Sequence, residues 1–138
     1  MDRESFPAVL ESLSGIRAFA VSAAEAAGLE GKTVYSLQLA VDEIATNIIV
    51  YGYQEAGLQG DLSIEADATE EALTVTLRDR GVPFDPRTRE LPDEEDLAKP
   101  LDERPVGGLG IYFAFTGVDK FDYRREDETN VNTFVVNR

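Results

Sequence analysis

Residues 61–79 read Asp-Leu-Ser-Ile-Glu-Ala-Asp-Ala-Thr-Glu-Glu-Ala-Leu-Thr-Val-Thr-Leu-Arg-Asp, and their alternation decides the fold. Leu62, Ile64, Ala66 and Ala68 alternate with polar residues, Thr69, Glu70 and Glu71 make a polar break, and Leu73, Val75 and Leu77 alternate again. Side chains on a strand point to opposite faces in turn, so the stretch predicts two strands joined as a hairpin. Upstream the period changes. Val9, Leu13, Ile16, Ala20, Ala23 and Ala27 recur every three or four residues, and Pro7 suits a helix first turn, which predicts an amphipathic helix from Pro7 to Ala27. Gly28 and Gly31 punctuate. Val34, Leu37, Val41, Ile44, Ile48 and Tyr51 then repeat the spacing up to Gly52, predicting a second helix. Downstream, Lys120 to Arg124 and Asn130 to Val136 read as strands around a polar turn. Helices interleaved with hairpins predict an α+β two-layer sandwich, a mostly antiparallel sheet with helices on one face, rather than a parallel βαβ sheet.

The composition narrows the chemistry. At 138 residues, with 43% apolar and 29% charged residues, the chain reads as one globular domain, 1–138, and is too apolar for a disordered one. The net charge of -14 repels phosphate backbones and anionic lipid, so neither nucleic acid nor a membrane surface is expected as a direct partner. Without cysteine or histidine there is no disulfide framework, no thiolate nucleophile and no histidine-based zinc site or acid–base scheme. The lack of a long apolar run or a secretory leader makes the cytoplasm the expected location.

Three places could carry chemistry. Glu43 and Asn47 lie four apart on the second helix, on the shoulder of its apolar stripe; a solvated i,i+4 pair is the plain alternative. Asp79 continues the phase of Leu73, Val75 and Leu77, so its carboxylate faces inward at the end of its strand. Such a group needs a donor: either it caps the turn made by Gly81 and Pro83, or it meets a ligand such as the amino group of a purine. Gly107, Gly108 and Gly110 open a short apolar helix and would let backbone amides approach an anion, although a loop-to-helix joint has the same look. Residues 86–106, with four of the six prolines and mixed charge, read as a lid or a loop. A phosphate-binding G-x-x-x-x-G-K run and an H-R-D signature are both absent.

Taken in order, Asp42-Glu43-Ile44-Ala45-Thr46-Asn47, Asp79-Arg80-Gly81-Val82-Pro83-Phe84-Asp85-Pro86, the acidic, Pro-rich segment and Gly107-Gly108-Leu109-Gly110 resemble the ordered boxes of the GHKL, or Bergerat-fold, ATPases. Within that superfamily nearly the whole chain resembles the bacterial anti-sigma-factor serine/threonine kinases. The resemblance implies Mg-ATP as the cofactor, with Asn47 on Mg²⁺, Glu43 as general base, Asp79 with the Gly81 turn on the adenine amino group, and Gly107, Gly108, Leu109 and Gly110 on the phosphates. Arg104 is the lid residue expected to reach phosphate, and Asn130 and Thr133 of the last strand are candidates for lining the adenine pocket. One amide carbonyl suffices for Mg²⁺, which keeps phosphate and water among its ligands.

The implied activity is phosphorylation of a serine on a STAS-domain anti-anti-sigma protein, with a sigma factor or a phosphatase-linked regulator as further partners. A nucleotide-gated binding module without transfer is the alternative, and an ATP-hydrolysing piece of a larger machine is a third. The lack of histidine separates the chain from sensor histidine kinases, which label a histidine. The family carries a strand before the first helix, whereas only Met1 to Phe6 precede Pro7, so that strand is expected to be short, missing or cut away. A homodimer built on that region stays an open alternative.

Overall fold

The computed structural model describes residues 2–86 and 116–138. In chain order these form β1 (Asp2–Pro7), a 3₁₀ turn (Leu10–Ser12), α1 (Leu13–Ala26), α2 (Gly31–Asn47), a π-helical segment (Ile48–Gln54), β2 (Asp61–Ala68), β3 (Ala72–Asp79), β4 (Lys120–Glu126) and β5 (Thr129–Asn137). Among the described residues the strands make one five-stranded antiparallel sheet in the order β1-β2-β3-β5-β4. This is the α+β arrangement read from the sequence. The expected lid beyond Pro86, with Arg104, and the glycine run at 107–110 lie outside the described residues.

The β2–β3 hairpin follows its alternation. Leu62, Ile64 and Ala66 of β2 and Leu73, Val75 and Leu77 of β3 are all buried, and they meet Ile16, Ala20 and Ala24 of α1 and Leu37, Val41 and Ile44 of α2 in one core. Each large apolar side chain removed from water there contributes roughly 1.5–3 kcal/mol. Thr69 closes the hairpin by accepting hydrogen bonds at Oγ1 from the amides of Glu71 (3.3 Å) and Ala72 (3.2 Å).

Two boundaries differ from the sequence reading. Pro7 is the last residue of β1, opposite Asp61, instead of the start of a helix. An edge position suits proline, which has no N–H to donate to a ladder. The strand expected to be short or missing is therefore present over Asp2–Pro7, and α1 proper begins only at Leu13. At its other end Gly28, with φ at 77°, closes α1: its amide reaches Glu25 O at 3.0 Å and that of Leu29 reaches Ala24 O at 3.2 Å.

The second difference is at Asn47, where α2 widens into the π-helical segment. The extra residue per turn shifts the apolar phase, so Ile48, Ile49 and Tyr53 are buried while Tyr51, expected in the stripe, is 39% exposed.

Candidate functional site

Cross-strand pairing sets the inner face of the sheet, the one covered by the helices, in rows. One row runs Leu62, Asp79, Asn130 and Arg125; the next runs Ile64, Leu77, Asn132 and Tyr123; the next runs Ala66, Val75, Phe134 and Phe121. The third row is apolar, and its Phe121 and Phe134 rings meet edge-on at 5.2 Å. Toward the Asp79 end, β5 and β4 turn polar.

Asp79 is 3% exposed, as its phase predicts. Oδ1 accepts hydrogen bonds from the Gly81 amide at 2.9 Å and from Asn130 Nδ2 at 3.0 Å. Oδ2 is buried with no hydrogen-bond partner. Of the two sequence readings, the turn cap is present at Oδ1, where the Gly81 amide donates. Burial raises the Asp79 pKa above its ordinary 3.8, opposed by the hydrogen bonds from Asn130 and Gly81 and by the charge of Arg125.

Asn130 holds this corner together. Its Nδ2 also donates to Gly81 O at 3.1 Å, while its Oδ1 accepts from the Tyr123 hydroxyl at 2.6 Å and from Arg125 Nη1 at 3.0 Å. Both faces of the amide are used, which orients the group that in turn orients Asp79. Alternation places Thr133 on the opposite face of the sheet, opposite Thr76 and Asp122. The β5 residue that joins Asn130 on the Asp79 face is Asn132, 2% exposed, with Oδ1 buried and unpartnered. Sequence reasoning missed Asn132. Its signal was the shared phase with Phe134 and Val136, the same argument that singles out Asp79.

On the helix side, Asn47 is 6% exposed and its Nδ2 lacks a partner, and the Oε1 atom of Glu43, one turn earlier, is buried. The π-helical segment ties this helix to the Asp79 turn. Val82 N donates to Gly52 O at 3.0 Å, and a Cβ on Gly81 would sit 2.6 Å from the same oxygen, so only glycine permits this approach. Tyr53 adds a second tie, its hydroxyl accepting from the Arg80 amide at 2.8 Å and donating to Asp61 O at 3.1 Å. Burial raises the Tyr53 pKa, so the hydroxyl keeps its proton for that bond. Tyr51 and Phe84 complete the junction with ring centroids 6.4 Å apart. Gly52 and Tyr53 were not among the residues singled out from sequence, because a π-helical offset has no simple period.

The profile of the histidine kinase-like ATPase domain matches residues 6–136. The chain belongs to this family. It is 28% identical over 126 residues to the serine-protein kinase RsbW of Bacillus cereus (strain AH187), covering 91% of this chain and 78% of the relative. The RsbW of Bacillus anthracis (strain CDC 684 / NRRL 3495) matches at the same identity and coverage. Among solved structures, the chain resembles the histidine kinase domain of the Erythrobacter litoralis EL346 blue-light activated histidine kinase, with a TM-score of 0.52 and 14% identity. That match covers 90% of this chain and 59% of the other, so the chain spans under two thirds of that domain. Acinetobacter baumannii histidine kinase AdeS matches at TM-score 0.52 and 12% identity over 99% of this chain and 68% of its own length. At such identity these two likenesses concern the fold.

The unpartnered Asp79 oxygen is chemically suited to an N–H donor, such as the exocyclic amine of a purine. A buried, unpartnered carboxylate oxygen is costly unless a donor reaches it, and an exocyclic amine supplies one.

Proposed function

We propose that this chain is an ATP-dependent protein serine/threonine kinase of the anti-sigma-factor type, acting on a serine of a STAS-domain partner and holding a sigma factor or a phosphatase-linked regulator in a partner-switching pathway. The observation that carries the reading is the Asp79 carboxylate: in a domain of the ATPase family, one oxygen is fixed by Gly81 and Asn130 and the other is buried without a partner. The similarity to serine-protein kinases supports serine as the acceptor.

In this account Asp79 Oδ2 accepts a hydrogen bond from the adenine amine, beside the Gly81 turn. Asn47 offers its amide oxygen to Mg²⁺, which offsets charge on the transferred phosphoryl group when bound. Glu43, one helical turn away, takes the proton of the attacking serine hydroxyl. Gly107, Gly108, Leu109, Gly110 and Arg104 are assigned to the phosphates from the sequence alone.

Transfer of labelled γ-phosphate to a STAS-domain serine, measured beside nucleotide binding, tests the reading. Glu43→Gln should keep Mg-ATP affinity within a few-fold and slow transfer by roughly 10²–10⁴. Asn47→Ala should instead weaken the Mg²⁺-dependent part of binding. A wild type that grips the partner only with ATP, yet transfers nothing to it, would make the chain a nucleotide-gated binding module for that partner.

A further inference from the structure

The β2–β3 ladder stops one rung early. Thr69 N donates to Ala72 O at 2.8 Å, so these two residues are a hydrogen-bonded pair, and such pairs alternate with non-bonded ones along an antiparallel ladder. Counted in twos from there, Asp67–Thr74, Glu65–Thr76 and Ser63–Arg78 are bonding pairs, and Asp61 with Arg80 should be the next. The register ends instead at Leu62–Asp79. The Arg80 amide donates to the Tyr53 hydroxyl at 2.8 Å, and that hydroxyl donates to Asp61 O at 3.1 Å. A phenol from the π-helical segment therefore sits where strand would meet strand, taking the donor of one and the acceptor of the other. Tyr53 is 3% exposed, and a Cβ on Gly60 would lie 2.9 Å from its Cε1, so the ring is packed tightly against the start of β2.

The effect of the inserted hydroxyl is visible just beyond it. With the ladder held open, residues 80–82 leave the line of β3 and cross to the π-helical segment, where Val82 N donates to Gly52 O at 3.0 Å. Gly81 lies between the two ties, and its amide is the one that holds Asp79 Oδ1 at 2.9 Å. Direct closure of the Asp61–Arg80 pair would continue β3 alongside β2 and draw Gly81 and Val82 away from Gly52. The fold does not need the insertion, since Arg80 N and Asp61 O satisfy each other in an ordinary ladder. We infer that Tyr53 is a positioning residue for the nucleotide: its hydroxyl replaces the last rung of the β2–β3 ladder and so keeps the turn after Asp79 docked on the helix that carries Glu43 and Asn47. The inference rests on the nucleotide reading of the site and adds the residue that sets its sheet half against its helix half. Tyr53 lies buried behind the turn and acts through the Arg80 and Val82 amides.

Tyr53→Phe keeps the ring and removes the hydroxyl. With Arg80 N able to pair directly with Asp61 O, the variant leaves neither group orphaned and should unfold within about 5 °C of the wild type. Amide exchange followed by NMR in the ligand-free protein reads the rearrangement: Arg80 should stay protected while Val82 exchanges at least about tenfold faster than in the wild type. Affinity for ATP should fall about tenfold in the folded variant, and in transfer to a serine acceptor KM for ATP should rise by the same factor with kcat within about twofold. A purely structural tyrosine gives the reverse pattern, a much lower unfolding temperature with unaltered affinity and KM, and that result would overturn the assignment. Faster exchange at Arg80 with Val82 still protected would overturn it as well, because the turn would then hold its place without the hydroxyl. So would a fall in kcat at unchanged KM. Should the wild type bind ATP and transfer nothing, the kinase reading fails alone, and the exchange and affinity results still decide the role of Tyr53. A wild type that binds no ATP removes this inference and the underlying reading together.

Discussion

Asn130 faces Asp79 across β5 and β3, with its Nδ2 3.0 Å from Asp79 Oδ1, so one oxygen of a buried carboxylate is held while the other is left without a partner. The same amide takes a hydrogen bond from Tyr123 at 2.6 Å and one from Arg125 at 3.0 Å, which fixes its orientation from the far strand. The aim of the carboxylate is therefore set by side chains and backbone of three strands.

This arrangement gives the ligand-free protein a defined pH dependence. Burial raises the folded-state pKa of Asp79 above its ordinary 3.8, so the folded chain binds that proton more tightly than the unfolded chain. The resulting stability is fully present below the unfolded value and is lost as pH rises through the folded value. Asn130→Ala removes the largest of the opposing effects, so it should push the Asp79 pKa higher and extend the loss to higher pH. Asp79→Asn should abolish this contribution. Urea denaturation of the three proteins in steps between pH 3.5 and pH 8 checks the order.

Gly81→Ala should destabilise by about 1–3 kcal/mol, the range for forcing extra volume into close-packed structure. Its Cβ would lie 2.6 Å from Gly52 O, a backbone atom that cannot rotate away. Because the same contact links the helix of Glu43 and Asn47 to the turn after Asp79, nucleotide affinity should fall along with stability. Thermal unfolding and titration of the folded variant measure the two effects separately.

Much of this was legible in the sequence, and the failures have physical causes. The alternation through Leu73, Val75 and Leu77 places Asp79 inward, and the β2–β3 hairpin follows from the same period. Pro7 misleads, because a proline fits the first turn of a helix and the edge of a sheet equally well. The π-helical segment hides because one extra residue exchanges Tyr51 for Tyr53 in the core without altering composition. The pairing of Asp79 with Asn130 joins residues 51 apart in sequence, and only register reveals it. Asn132 was within reach: the phase of Phe134 and Val136 already sets it on the inner face and Thr133 on the other.

The β4–β5 turn carries a cost that a substitution should relieve. Asp127 and Glu128 sit at φ 48° and 65°, left-handed conformations that disfavour a side chain with a Cβ. Glu128→Gly should stabilise the protein by about 0.5–1 kcal/mol, with no effect on nucleotide affinity. Its ion pair with Arg80, at 3.8 Å between exposed side chains, offers little to set against that gain. Denaturant midpoints measured beside ATP titrations decide it.

The central claim is that the bare oxygen of Asp79 is the adenine acceptor, and calorimetric titration of Mg-ATP into the wild type and into folded Asp79→Asn tests it most directly. The wild type should bind one nucleotide per chain, and the variant, which presents a donor where the oxygen was, should bind about 10–100-fold more weakly, as the loss of a charged hydrogen bond predicts. Equal affinity in the two proteins, or no binding to the wild type, would contradict the account.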